Sequence, residues 1–217
     1  MVKKKSVRAS PRVPEPLSDE TVRLHDDAEV AGVVVTGDFS GTVAAHVEFR
    51  GCRIEHAQFT GSSLRRARFL DCIVSDSDLS GVLLEKCSMA RVEFRACWLS
   101  GLQAPGARLV DVGCLDSKIN EANFRMTTWK RAEMSHCELA DSDFSGANLP
   151  DSRLLNCDLS RVELSKANLA GSHLFGSKLD GIYGADSLRD VRIGTDQIIS
   201  AALAVFAGLG IAIWDEP

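Results

Sequence analysis

Seven cysteines, five histidines and two closely spaced carboxylate pairs are the residues of this chain with chemistry to offer. Cysteine and histidine at short spacing would hold zinc or build a nucleophile and its base, and neighbouring carboxylates would serve acid–base catalysis. Cys52, Cys72, Cys87, Cys97, Cys137 and Cys157 are separated by multiples of five, Cys114 falls outside that series, and no CxxC pair occurs. An odd number of thiols without such a motif fits small buried hydrophobes better than a disulfide framework. His136 adjoins Cys137, and Asp76/Asp78 and Asp141/Asp143 are the carboxylate pairs. What any of them can do depends on the element that carries it.

That element has a period of five. Every fifth residue from Phe39 through Phe49, Ile54, Phe59 and Leu64 to Leu174 and Leu179 is apolar. Two positions before each centre runs a column of mostly small residues, from Gly37, Thr42, Val47, Cys52, Ala57 and Ser62 to Ala167, Ser172 and Ser177. A period of five fits neither the 3.6 of a helix nor the 2 of a strand, and a fixed short repeat marks a solenoid. Six of the cysteines occupy the small inward column. His136 then points outward and Cys137 inward, so they cannot form a nucleophile–base pair, and each carboxylate pair straddles a corner of a convex surface with no pocket to perturb it. No phosphate loop or Ser-His-Asp arrangement is present. We therefore expect a non-enzymatic protein with no metal and no cofactor.

Ala122-Asn123-Phe124, Ala147-Asn148-Leu149 and Ala167-Asn168-Leu169 resemble the A(D/N)LXX unit of the pentapeptide-repeat family. The resemblance implies an all-β solenoid, a right-handed quadrilateral β-helix in which each unit forms one side and four units complete a coil. Phe39-Ser40-Gly41, Phe59-Thr60-Gly61, Leu79-Ser80-Gly81 and Leu99-Ser100-Gly101 recur every twenty residues, which supports four sides independently.

The expected organisation is a disordered basic tail over 1–16, carrying Lys3, Lys4, Lys5, Arg8 and Arg12; an N-terminal cap over 17–32; the β-helix over 33–183; and a C-terminal module over 184–217 with a helix at about 196–209, Thr195 as its N-cap. The tail lacks the apolar run of a secretory signal; with unpaired cysteines this suggests a cytoplasmic setting. Ala104, Pro105, Gly106 and Cys114 thin the repeat midway, which leaves room for a kink, a bulge or a contact loop, while a register that resumes at once excludes a long inserted loop.

No charge lies between Asp196 and Asp215. The stretch is too short and too interrupted by Gly208 and Gly210 for a membrane span. As a helix it would cap the last coil and still have apolar faces to bury, so Ile198, Ile199, Ala202, Leu203, Val205, Phe206 and Leu209 are the expected homodimer contacts. Ser187-Leu188-Arg189-Asp190-Val191-Arg192-Ile193 with Asp196-Gln197 resembles the C-terminal module of the quinolone-resistance branch of the family, its mycobacterial MfpA type and more distantly its Qnr type. That resemblance implies tail-to-tail dimers that copy B-DNA in size, shape and charge and bind DNA gyrase.

Charge divides the outer surface by side. The side beginning at Phe39 carries Asp38, Asp78, Glu121, Glu138, Asp141, Asp158 and Asp180 against Lys118, Arg161 and Lys178, whereas the sides beginning at Ala44 and Phe49 lean basic. The rod as a whole is close to neutral, unlike a duplex with one charge per about 1.7 Å. DNA mimicry is therefore a local expectation, with Asp78, Glu121, Glu138, Asp141, Asp158 and Asp180 as contacts to DNA gyrase or another topoisomerase and no direct nucleic-acid binding. The alternative is an interaction scaffold whose partner is unrelated to DNA topology.

Overall fold

The structure, a computed structural model, describes residues 8–18, 21–212 and 214. Lys3, Lys4 and Lys5 of the expected tail lie outside the described residues. The chain is an all-β solenoid with one short C-terminal helix. Its coils stack in parallel at a register of twenty: Phe49 pairs with Phe69, Phe69 with Met89 and Met89 with Leu109.

The period of five has a local cause. After each centre the chain turns, and at many corners the centre's carbonyl accepts the amide three residues on, as from Ser62 to Phe59 at 2.9 Å. The third residue of that turn is left-handed, with φ 66° at Gly41 and 64° at Gly61, the signature of a type II turn. From that left-handed residue three extended residues reach the next centre, as from Gly61 to Leu64. All centres from Ala44 to Leu179 are buried, as is the small column from Val47 to Ile182, while Phe39 is partly buried. Identical columns stack ring on ring, Phe49 on Phe69 at 4.9 Å and Phe124 on Phe144 at 5.0 Å.

Small inward residues do more than fit. Ser77 Oγ accepts the Ala57 amide at 3.1 Å and donates to the Ser75 carbonyl at 2.7 Å; Ser117 and Ser142 likewise accept from Cys97 and Ala122. These hydroxyls are buried and satisfied, which keeps them inexpensive inside the tube.

The repeat runs through 104–114 without a bulge or a loop. Pro105 sits at the second position of a turn and Gly106 at the third, where a type II turn favours both, and Ala107 closes the turn onto Ala104 at 3.2 Å. Arg108–Leu115 is an unbroken strand, stacked with Ser88–Arg95, which in turn stacks with Arg68–Ser75. Each of these three runs along two sides and around the corner between them.

The ladder starts earlier and ends later than 33–183. Glu29–Ala31 pairs with Glu48–Arg50 at a register of nineteen, and a bulge between Val35 and Gly37 restores twenty. At the far end Arg192 bridges His173, again nineteen apart, because a 3-10 turn at Ala185–Leu188 replaces one corner. A second 3-10 turn, Thr195–Gln197, leads into helix α1, Ile198–Gly208. Gln197 rather than Thr195 is the helix N-cap residue, and no side-chain cap bond forms there. Gln197 is buried and plugs the last coil: its side-chain amide nitrogen, Nε2, donates to the carbonyls of Leu174 at 2.7 Å and Ser177 at 2.5 Å.

Residues 8–16, which composition places in a disordered tail, instead lie along the rod. Pro14 packs over Gly51, the Arg12 amide donates to Asp71 at 3.0 Å, and the Ala9 amide donates to Asp111 at 3.0 Å. Arg8 ends the climb in an ion pair with Glu93 at 2.6 Å. Backbone amides three residues apart thus meet carboxylates two coils apart, about 10 Å by either measure, so the strap is extended along the rod axis.

Candidate interaction surface

The acidic side is built on the column Asp78, Trp98, Lys118, Glu138, Asp158 and Lys178, whose members bridge one another coil to coil. Asp78 and Asp158 first serve the fold: each accepts the amide two residues on, from Ser80 at 2.8 Å and Ser160 at 3.0 Å. Asp38, Asp143 and Asn168 brace their turns in the same way, which explains the Asp or Asn before each of these centres. Asp78 stands apart from the others, separated from Glu138 by Trp98 and Lys118.

Glu121, Glu138, Asp141, Asp158 and Asp180 gather on the last coils. Their charge is partly offset within the cluster. Arg161 forms two bonds to Asp141 at 2.7 and 2.6 Å, holding that carboxyl below the ordinary carboxylate range, and Lys178 pairs with Asp158 at 2.9 Å. Glu138 accepts from Asn120 at 3.3 Å, while Glu121 and Asp180 are exposed and carry no ion pair among the described residues. Charges in one column sit about 4.8 Å apart. Six neighbours pair opposite signs, Arg65–Glu85, Asp71–Arg91, Asp111–Arg131, Glu133–Arg153, Asp141–Arg161 and Asp158–Lys178, whereas Glu138 and Asp158 stack like charges inside the acidic cluster.

Beside this cluster, α1 docks through small residues: Ala204 is buried, Ala201 packs on the core, and Gly208 lies against Ala185. Ile198, Ile199, Leu203, Val205, Phe206 and Leu209 of the expected contact set are exposed, and Ala202 is half-buried. Ile211 and Trp214 extend the apolar surface, Trp214 at 84 % exposure. The contact set ending at Leu209 omits these two residues, whose apolar character in an uncharged stretch is the sequence signal for them.

The remaining chemistry-bearing residues do not assemble. All seven cysteines are buried and free, and burial pushes the Cys87 thiol up to about 12. His136 is exposed beside buried Cys137, as their repeat positions require. Among the described residues no group of three or more His, Cys, Asp or Glu is placed to hold a metal ion, and no helix is long and apolar enough to cross a membrane.

Among solved structures, HetL from the cyanobacterium Nostoc sp. strain PCC 7120, a pentapeptide-repeat protein involved in heterocyst differentiation regulation, is 16% identical, with 77% of this chain and 87% of HetL covered at a TM-score of 0.46. A trypsin-treated variant of QnrB1, a plasmid-mediated fluoroquinolone resistance protein, is 23% identical over 88% of this chain and 99% of its own, at a TM-score of 0.38. No curated protein matches the chain. The family description "pentapeptide repeat region" matches residues 47–124, and "pentapeptide repeats (8 copies)" matches 116–154 and 142–181. With the five-residue sides, the twenty-residue coils and these family matches in agreement, the chain belongs to the pentapeptide-repeat family.

Proposed function

We propose that this protein is a non-enzymatic binding rod that pairs with a second copy through α1 and presents its acidic side to the DNA-gripping surface of DNA gyrase or a related topoisomerase, modulating the enzyme and its sensitivity to quinolones. The observation that carries this reading is the position of Glu121, Glu138, Asp141, Asp158 and Asp180 on the last coils, next to an apolar helix with Ile199, Leu203 and Leu209 exposed. Tail-to-tail pairing brings two such clusters to one joint, doubling the local negative charge where a positively charged saddle would meet it.

The test is a gyrase supercoiling assay with increasing protein, with and without a quinolone, beside the variant Glu121→Lys/Glu138→Lys/Asp141→Lys/Asp158→Lys/Asp180→Lys. Inhibition or drug protection by the native protein, absent in a variant of unchanged circular dichroism, supports the reading. Absence of any effect from the native protein discards it.

A second reading, an interaction scaffold with a partner unrelated to DNA topology, draws on the alternating columns. Arg161 and Lys178 inside the acidic cluster match those columns better than a uniform phosphate-like surface does. Retained dimerisation with no effect on the topoisomerase would favour it.

A further inference from the structure

The strap over residues 8–16 rests on a surface shaped for it. Of the residues aligned with Glu93 in successive coils, Arg53, Ile73, Glu133, Arg153 and His173 all carry large side chains, and Gly113 alone carries none. A Cβ on Gly113 would stand 2.7 Å from Arg8 Cζ, so this glycine opens the notch that takes the guanidinium. Glycine inside a strand is unfavourable without such a reason. Glu93 closes one wall, with both side chains of the ion pair largely buried at 16% and 13% exposure.

Beside the notch, the corner column reads Gly51, Asp71, Arg91, Asp111 and Arg131. Arg91 turns back to Asp71 and Arg131 to Asp111, leaving each carboxylate to accept one strap amide from above. Pro11, Pro14 and Pro16 favour an extended strap, and the amides that are used belong to non-proline residues. Yet the hold is incomplete: among the described residues Arg8 Nε and Nη1 are buried without a hydrogen-bond partner. A buried charge so incompletely satisfied adds little net stability, which makes this an exchangeable contact rather than a permanent one.

We propose that the Gly113–Glu93 notch with the Asp71 and Asp111 acceptors is a recognition surface for an extended, arginine-bearing peptide. The chain's own residues 8–16 are its resident occupant, and an arginine-bearing segment of a protein partner is the competitor. Tethering gives the resident strap an effective concentration of order mM, so entry of a partner requires the strap tip to be loosened. This surface is distinct from the acidic side at the last coils, and the two are testable separately.

The probe is a fluorescein-labelled peptide with the sequence of Arg8–Pro16, titrated against the full chain by anisotropy. The variant Arg8→Ala/Ala9→Pro removes both tip contacts and leaves the corner untouched; it is expected to bind the peptide at least about tenfold more tightly than the native chain, whose strap competes at mM effective concentration. Adding Gly113→Val to fill the notch, or Glu93→Gln to neutralise its wall without changing its shape, is expected to abolish that gain, as is alanine in place of the peptide's first arginine. Equal binding by the native and tip-released chains, or a gain that survives both Gly113→Val and Glu93→Gln in chains of native circular dichroism, overturns the proposal.

Discussion

The corner beneath the strap and the open acidic side use the same device, an aspartate and an arginine one coil apart, in two different settings. On the strapped corner the side chains of Asp71 and Asp111 are 14% and 5% exposed. On the open side Asp141 is 43% and Arg161 57% exposed. A covered pair loses its competing water and escapes salt screening, while its desolvation offsets much of the attraction. An open pair contributes little to stability and stays adaptable, which suits a surface that must exchange its counter-ions for a partner. Coverage, rather than residue identity, separates a contact that must first be uncovered from one already open to a partner.

The comparison assumes a common core. Leu139→Ala under the open side and Phe69→Ala under the strapped corner are each expected to cost about 3–4 kcal/mol, read from urea denaturation; a large loss at only one site would break the comparison. Next in size is Asp111→Ala, which leaves Arg131 and the Ala9 amide unpaired and is expected to cost about 2 kcal/mol, whereas Asp141→Ala should leave Tm unchanged. In 1 M salt, where screening reaches about 3 Å, the Asp111→Ala loss should persist.

Acid sharpens the same contrast. Arg91 holds the Asp71 carboxyl below its ordinary value, and Arg131 does the same to Asp111. Because these folded-state values lie below the unfolded value near about 3.9, the stabilisation is complete above about pH 4 and is lost as pH falls through the folded value. The Tm gap between the native chain and Asp111→Ala should therefore close in acid. A smaller effect than these losses belongs to neither surface: Ala96→Gly, at a left-handed corner with φ 50°, should stabilise by about 1 kcal/mol, raising Tm without altering peptide or topoisomerase binding.

The core was legible because every side repeats one steric demand; Phe49 and Phe69 announce their contact by spacing alone. The pairs Asp141/Arg161 and Asp158/Lys178 were legible in principle too, since each differs by the twenty residues of a coil. The side-by-side charge totals concealed them by summing signs that stacking sets against each other. The strap was hidden for a different reason. Arg8 and Glu93 lie 85 positions apart, and their meeting depends on the side chain that Gly113 lacks, so no local pattern marks it. Gln197 was equally silent, because a glutamine before a helix ordinarily suggests a surface position, not a plug.

That plug bears on the length of the molecule. A parallel stack of coils has no intrinsic stopping point: its final coil offers a template on which another chain can grow, the route by which β-structure becomes fibrous. Gln197 places an amide across two carbonyls of that coil, so together with α1 it occupies the edge on which another chain would grow. Gln197→Leu would leave the Ser177 carbonyl unpaired and the Leu174 carbonyl with only the Ser177 amide, and the expected product is end-to-end association, visible by electron microscopy, in place of discrete rods.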